Sequence, residues 1–343
     1  MGKMPLREAF SANCTGIVTS VNGAAPPTLP VFADVDTGVD DAVALVYLLA
    51  SREAELVGIA STGGNVGVQQ VCANNLALLA LCGTAGIPVS KGAEAPLRGP
   101  VHTAEHIHGP QGLGYAELAP GGGELTAYDA AAAWISAAHT HPGRLVGIAS
   151  GPLTNLALAL RAEPALPTLL RRLVIMGGAF ERTGAEFNIR VDPEAAAEVF
   201  AAWGAVAPQR LPIVCGLELT QRIAMTPAIL ERLAASAGCA SAGPLLRMLT
   251  DALRFYFEAH AERGHGYLAY LHDPLAAAMA LDPELASTRP AAVRVELSAP
   301  ARGRTVAVWD APEPNAQIGV DVDPAVFFDR FVERVGALAR RLG

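Results

Sequence analysis

Leu29-Pro-Val-Phe-Ala-Asp34-Val-Asp36-Thr-Gly38-Val-Asp40-Asp41-Ala-Val-Ala-Leu45 sets a short apolar strand, four carboxylates within eight residues and an apolar helix one after another. Like charges packed at the edge of a core are tolerated only when something positive neutralises them. An oxygen-only donor set suits a hard divalent cation such as calcium or magnesium and not zinc. Gly38 is expected to allow a sharp turn that folds the two Asp pairs back on each other. Asp40 and Asp41 fall in the first helical turn, where the positive end of the helix dipole favours ionised carboxylates.

Such a stretch has three other uses. Helix capping needs one carboxylate and leaves three unexplained. An EF-hand counted from Asp34 would need Gly at its sixth position and Glu at its twelfth, and finds Val39 and Leu45. An aspartyl-phosphate phosphohydrolase of the haloacid dehalogenase type also opens on strand-Asp-x-Asp, but requires a later lysine for the phosphoryl group. The chain has only Lys3 and Lys91.

Working outward, 343 residues with 51% apolar content are ample for a substantial core, and a formal charge of −8 argues against a nucleic-acid footprint. Cys14, Cys72, Cys82, Cys215 and Cys239 show no CxxC spacing. They are expected to be thiols of a reducing, cytoplasmic compartment. No apolar run reaches the roughly 18 residues of a membrane span, and residues 1–28 lack the apolar core of a signal peptide. That segment is expected to be a loosely ordered extension, with one catalytic domain over 29–343. From Leu29 onward strands and helices alternate without a long linker, which predicts an α/β fold: a single Rossmann-like domain, its mainly parallel sheet flanked by helices.

Functional loops gather at the carboxyl ends of parallel strands. The segments expected there are Gly63-Gly64-Asn65 after strand 55–60, Ser150-Gly-Pro-Leu-Thr154-Asn155 after strand 145–149, and Gly177-Gly178 after strand 173–176. Further along come Glu186-Phe-Asn188-Ile-Arg190-Val-Asp192-Pro-Glu194-Ala and His272-Asp273-Pro-Leu-Ala276. Each has an ordinary turn or cap use when taken alone. His102, His106 and His108 lie in a Gly- and Pro-rich loop that supplies zinc geometry poorly. The C-terminal part (strands 293–298 and 304–308, helix 324–342) reads as structural.

Taken together these segments resemble the inosine-uridine-preferring nucleoside N-ribohydrolase family. Its Asp-x-Asp-x-Gly-x-Asp-Asp-Ala opening, Gly-Asn, His-Gly-x-x-Gly-Leu-Gly, Thr-Gly-x-Leu-Thr-Asn, Glu-Phe-Asn and His-Asp-Pro segments recur in order over roughly residues 29–340. The resemblance implies calcium-dependent hydrolysis of the N-glycosidic bond of ribonucleosides, in a homo-oligomer (dimer or tetramer). It implies Ca2+ held by Asp36, Asp41, Asp273 and the Ser150 carbonyl, with Asp36 also the base that activates water. Asp40, Asn65, Glu186 and Asn188 would grip the ribose, His272 or His108 would assist the leaving base, and Asp34 would position the loop. Two departures stand out: Gln111 occupies a place where Asp is frequent, and the loop before Glu186 is short and lacks the usual Gly-Asn. The latter bears on how the 5'-hydroxyl is held. A catalytically silent nucleoside or sugar binder on the same fold would keep the cage without turnover.

Overall fold

The computed structural model describes residues 28–238 and 243–343. All of the expected extension except Thr28, together with Cys14 and Cys239, lies outside them. Eleven strands form among the described residues: β1 Leu29–Val35, β2 Ala54–Ser61, β3 Val89–Lys91, β4 Val146–Ala149, β5 Arg172–Met176, β6 Ile213–Cys215, β7 Ala224–Met225, β8 Ala269–Tyr270, β9 Ala286–Val295, β10 Thr305–Trp309 and β11 Ala316–Val322. Nine of them make one sheet in the order β10-β9-β11-β6-β5-β4-β1-β2-β3, and β7 pairs with β8 separately. Pairing is parallel from β3 through β11 and antiparallel only where β9 meets β11 and β10.

β1 decides the layout. The chain runs from β1 to β2 and β3 on one side, then returns to place β4 on the other. The order therefore reverses at β1, and a crevice opens beyond its carboxyl end, where ligands of open α/β sheets bind. Alternation along the strand sends Val31, Ala33 and Val35 into one hydrophobic core and Phe32 into the other. Phe32 packs on Trp134, with ring centroids 4.7 Å apart. The helix Val39–Ala50 that follows is buried all round except at Leu49, as its apolar sequence requires. Its Tyr47 stacks on Phe331 of the C-terminal helix Pro324–Leu342.

Three expectations need correction. The terminal region holds three strands and not two: β11 is paired on both sides, and β9 begins at Ala286. Its Gln317-Ile-Gly-Val-Asp-Val does not alternate strictly between buried and exposed positions, so it carries no clear strand period. His106 and His108 do not lie in open loop, since Glu105–His108 forms one helical turn. Gly38 has φ −92°, which any residue adopts. Glycine is needed there for room, because a Cβ would stand 2.5 Å from His108 Nδ1. Cys72, Cys82 and Cys215 are buried free thiols, as expected.

Candidate active site

Beyond β1 the chain supplies four carboxylates with separate tasks. Asp34 turns to the Phe32 side, where its oxygens accept from Trp134 Nε1 (2.8 Å) and Asn155 Nδ2 (2.9 Å). Burial raises it to about 7 against those two hydrogen bonds. It ties β1 to two helices and is not among the residues lining the cavity. Asp41 is gripped most tightly, accepting from Gly38 N (3.0 Å), Asn65 Nδ2 (3.1 Å) and Ser150 Oγ (2.8 Å).

Asp36 accepts from Asn65 N through Oδ2 (2.8 Å), while its buried Oδ1 has no partner. A buried carboxylate oxygen left bare is costly unless a ligand completes it. The other oxygen is packed against Gly64, where a Cβ would fall 2.1 Å from Asp36 Oδ2. Asp273 arrives from the first turn of helix His272–Leu281, a segment far away in sequence. Oxygens of Asp40, Asp41 and Asp273 lie within 4.8 Å of one another.

Such crowding has an electrostatic consequence. Burial first, then the charges of its neighbours, pushes Asp273 well above the usual carboxylate range, and Asp36 likewise. Asp40 rises to about 8 through burial and then Asp41. Among the described residues no Lys or Arg pairs with any of them; the one charged-type neighbour is His108, whose Nδ1 is 3.8 Å from Asp40. Buried carboxylates, an orphaned oxygen and no cationic side chain form a donor set that fits a hard cation. Asp40, expected as a ribose contact, is in this trio, and Asp36 is not.

The remaining expected residues converge on the same cavity of about 330 Å³. Asn65 lines it, but its main-chain N–H and one amide N–H are spent on Asp36 and Asp41, so it positions carboxylates and keeps Oδ1 and a second amide N–H for a ligand. Ser150 holds Asp41 by its hydroxyl, and its carbonyl accepts from Asn188 Nδ2 (2.6 Å), leaving a second lone pair. Glu186 uses both oxygens on the N–H groups of Gly178, Asn188 and Ile189. Its grip is on backbone. His272 shares a hydrogen bond with Thr220 (2.7 Å). His108 Nδ1 accepts from Val39 N (3.1 Å), which leaves the ring proton on Nε2 as a donor. Burial, then other histidines, holds both rings down to about 3, so each is a neutral imidazole.

Sequence reasoning missed the opposite wall. Helix Pro244–Glu262 and the turn after it bring Tyr256, His260, Arg263 and His265 to the cavity. Tyr256 packs against His108 (5.1 Å) and His260 (4.5 Å), and Tyr270 bridges His260 to His272. The apolar period of that helix masked them, because core-facing and cavity-facing positions share one stripe. His102 is not among the lining residues.

With this geometry in place, comparison with known proteins is decisive. The sequence profile of the inosine-uridine preferring nucleoside hydrolase family matches residues 31–329. The chain belongs to that family. The pyrimidine-specific ribonucleoside hydrolase RihA of Salmonella gallinarum is 36% identical over 322 residues, covering 90% of this hydrolase and 98% of RihA. The purine-preferring ribonucleoside hydrolase of Gardnerella vaginalis superposes with a TM-score of 0.83 at 32% identity, covering 91% of this chain and 99% of that one. The plant nucleoside hydrolase PpNRh1 gives 0.81 at 32% identity, covering 91% and 100%. This nucleoside hydrolase is therefore an enzyme acting on N-glycosyl bonds of ribonucleosides, and the phosphohydrolase alternative falls away. No helix among the described residues is long and apolar enough to cross a membrane.

Proposed function

We propose that this enzyme is a calcium-dependent ribonucleoside hydrolase whose first substrates are uridine and cytidine. The observation that carries the reading is the meeting of Asp273 with Asp40 and Asp41, buried and without a cationic side chain. Asp36, Asp41, Asp273 and the Ser150 carbonyl would hold the ion, with Asp40 close enough to share it. A main-chain carbonyl among irregularly placed carboxylates suits calcium's adaptable coordination better than magnesium's strict octahedron. When bound, calcium supplies positive charge that neutralises the cage and draws sugar hydroxyls and water to it, acidifying water less than zinc does.

A base beside the water is therefore required, and the chain supplies Asp36. Its Oδ2 is fixed by Asn65, so the unpartnered Oδ1 is the oxygen that accepts the proton. Breaking the C1'–N bond builds positive charge on the ribose ring, and the carboxylates of Asp36 and Asp40 favour it. Asp40 and the free Oδ1 of Asn188 and Asn65 accept from ribose hydroxyls. His108 and His272, as neutral rings, aid the leaving base by N–H donation and not as imidazolium acids.

Pyrimidine nucleosides are placed first because RihA, at 36% identity, is named for them; the Gardnerella enzyme, named for purines, stands at 32%. A reducing-sugar assay with uridine, cytidine, inosine and adenosine, run with calcium and after chelation, tests both points. Turnover that survives complete chelation overturns the calcium role, and inosine preferred over uridine overturns the base preference. The buried free cysteines agree with a reducing, cytoplasmic setting, and we take the working form to be a dimer or tetramer; sedimentation of the purified chain checks the latter.

A further inference from the structure

We propose that Asn74 is a positioning residue that holds His108 in the place and tautomer it needs beside the leaving base. The inference rests on the proposed role of His108 and deepens it by naming what sets that ring. Asn74 belongs to the helix Val68–Leu81 and is not among the residues lining the cavity, so it acts through others.

Asn74 is buried, and its one amide group serves two segments. Nδ2 donates to the carbonyl of Thr37 (3.1 Å), inside the carboxylate turn, and to the carbonyl of Gln111 (2.8 Å), beyond His108. Both amide protons are thereby used. Oδ1 accepts from Gln70 Nε2 (2.9 Å), so the side chain cannot rotate without losing all three bonds. The two segments also press directly on each other here. Gly112 has φ +81°, and a Cβ there would stand 3.0 Å from both Thr37 O and Asn74 Nδ2. Gln111 contributes its main chain, so the contact does not depend on the side chain at that position.

What this clamp protects is the bond from Val39 N to His108 Nδ1 (3.1 Å), which joins the same two segments and leaves the ring proton on Nε2. An imidazole that slips from Val39 can carry its proton on Nδ1, and then offers the base an acceptor in place of a donor. The carboxylate turn has other supports: Thr37 Oγ1 donates to Asn75 Oδ1 (2.5 Å), and Gly38 N to Asp41. Segment 105–116 is held towards its ends through exposed groups, Arg263 donating to the His106 carbonyl and Tyr115 to Glu258. Asn74 ties its middle. Loosening that tie frees the His108 turn while the carboxylates stay in place.

The test uses the full chain with calcium. Asn74→Ala should lower kcat/KM for uridine by about tenfold or more, and for p-nitrophenyl riboside, whose phenolate leaves without taking a proton, by less than about twofold. In a His108→Ala background the same substitution should change uridine turnover by less than about twofold, because the ring it positions is gone. Hydrogen exchange should quicken over residues 105–116 in Asn74→Ala while residues 34–41 keep their protection. Gly112→Ala forces the two segments apart by another route and should repeat the uridine-selective loss, which keeps the test decisive if Asn74→Ala does not fold. Equal losses on both substrates, or additive losses in the double variant, assign Asn74 a structural role and overturn the inference. Full uridine activity in Asn74→Ala overturns it too. These outcomes leave the role of His108 intact, whereas unchanged uridine turnover in His108→Ala alone removes that role and this inference with it.

Discussion

At the floor of the pocket, Asn65 and Ser150 line the cavity after β2 and β4 and hold Asp36 and Asp41, which follow β1, by hydrogen bonds. The wall above is made differently. His108 comes from a single helical turn, Tyr256 and His260 from the last turns of a long helix, Tyr270 from β8 and His272 from the start of the helix after it, and they touch ring to ring. Hydrogen-bond geometry is directional, so the floor holds its oxygens in one arrangement; ring packing tolerates exchange of one side chain for another. Under the proposed function the floor would serve bond cleavage, common to every substrate, and the wall the choice among bases.

The sharpest way to break that division is at Asp36. Asp36→Asn should cut kcat about 10²–10⁴-fold for every nucleoside, with circular dichroism and thermal unfolding close to wild type. Appreciable residual kcat would take the base role away from it. Next in size, Gly64→Ala drives a methyl onto Asp36 Oδ2 and should cost on the order of 10²-fold, again with every base alike. A substrate-dependent loss there would mean that floor and wall are not separate.

Metal binding probes the floor in another way. Calcium at about 100 times its Kd should stabilise the protein by about 2.7 kcal/mol, raising Tm, and Asp273→Ala should remove most of that shift. The sign with pH follows from the raised carboxylates: they hold protons in the metal-free protein, so binding releases protons and affinity rises with pH through the region near 8 set by Asp40. Calorimetry in buffers of different ionisation enthalpy reads this directly, and proton uptake would contradict it. The smallest effects belong to the wall. His260→Ala should change the uridine-to-inosine ratio by about two- to tenfold while kcat for the better substrate moves less; a uniform loss of 10²-fold would place His260 with the floor.

Much of the floor could be read along the chain because its residues are local. Asp34, Asp36, Asp40 and Asp41 fall at the junction of one strand and one helix, where burial of like charges demands an explanation. The C-terminal strand β11 and the cavity-facing side of helix Pro244–Glu262 were not legible, since their patterns also suit edge and core positions. Nor did the chain reveal that Asn65 and Glu186 spend their polar groups on protein partners.

By itself, then, the sequence determined that this is an α/β protein with a carboxylate cage at the end of its first strand, because strand period, helix period and charge cost are local quantities. Only the tertiary structure decided that Asp273 meets Asp40 as well as Asp41, that Asp34 turns away from them, and that Asp36 is left one bare oxygen. Those outcomes depend on which distant segments the reversal of strand order at β1 brings within hydrogen-bond reach, and reach through space is not written in spacing along the chain.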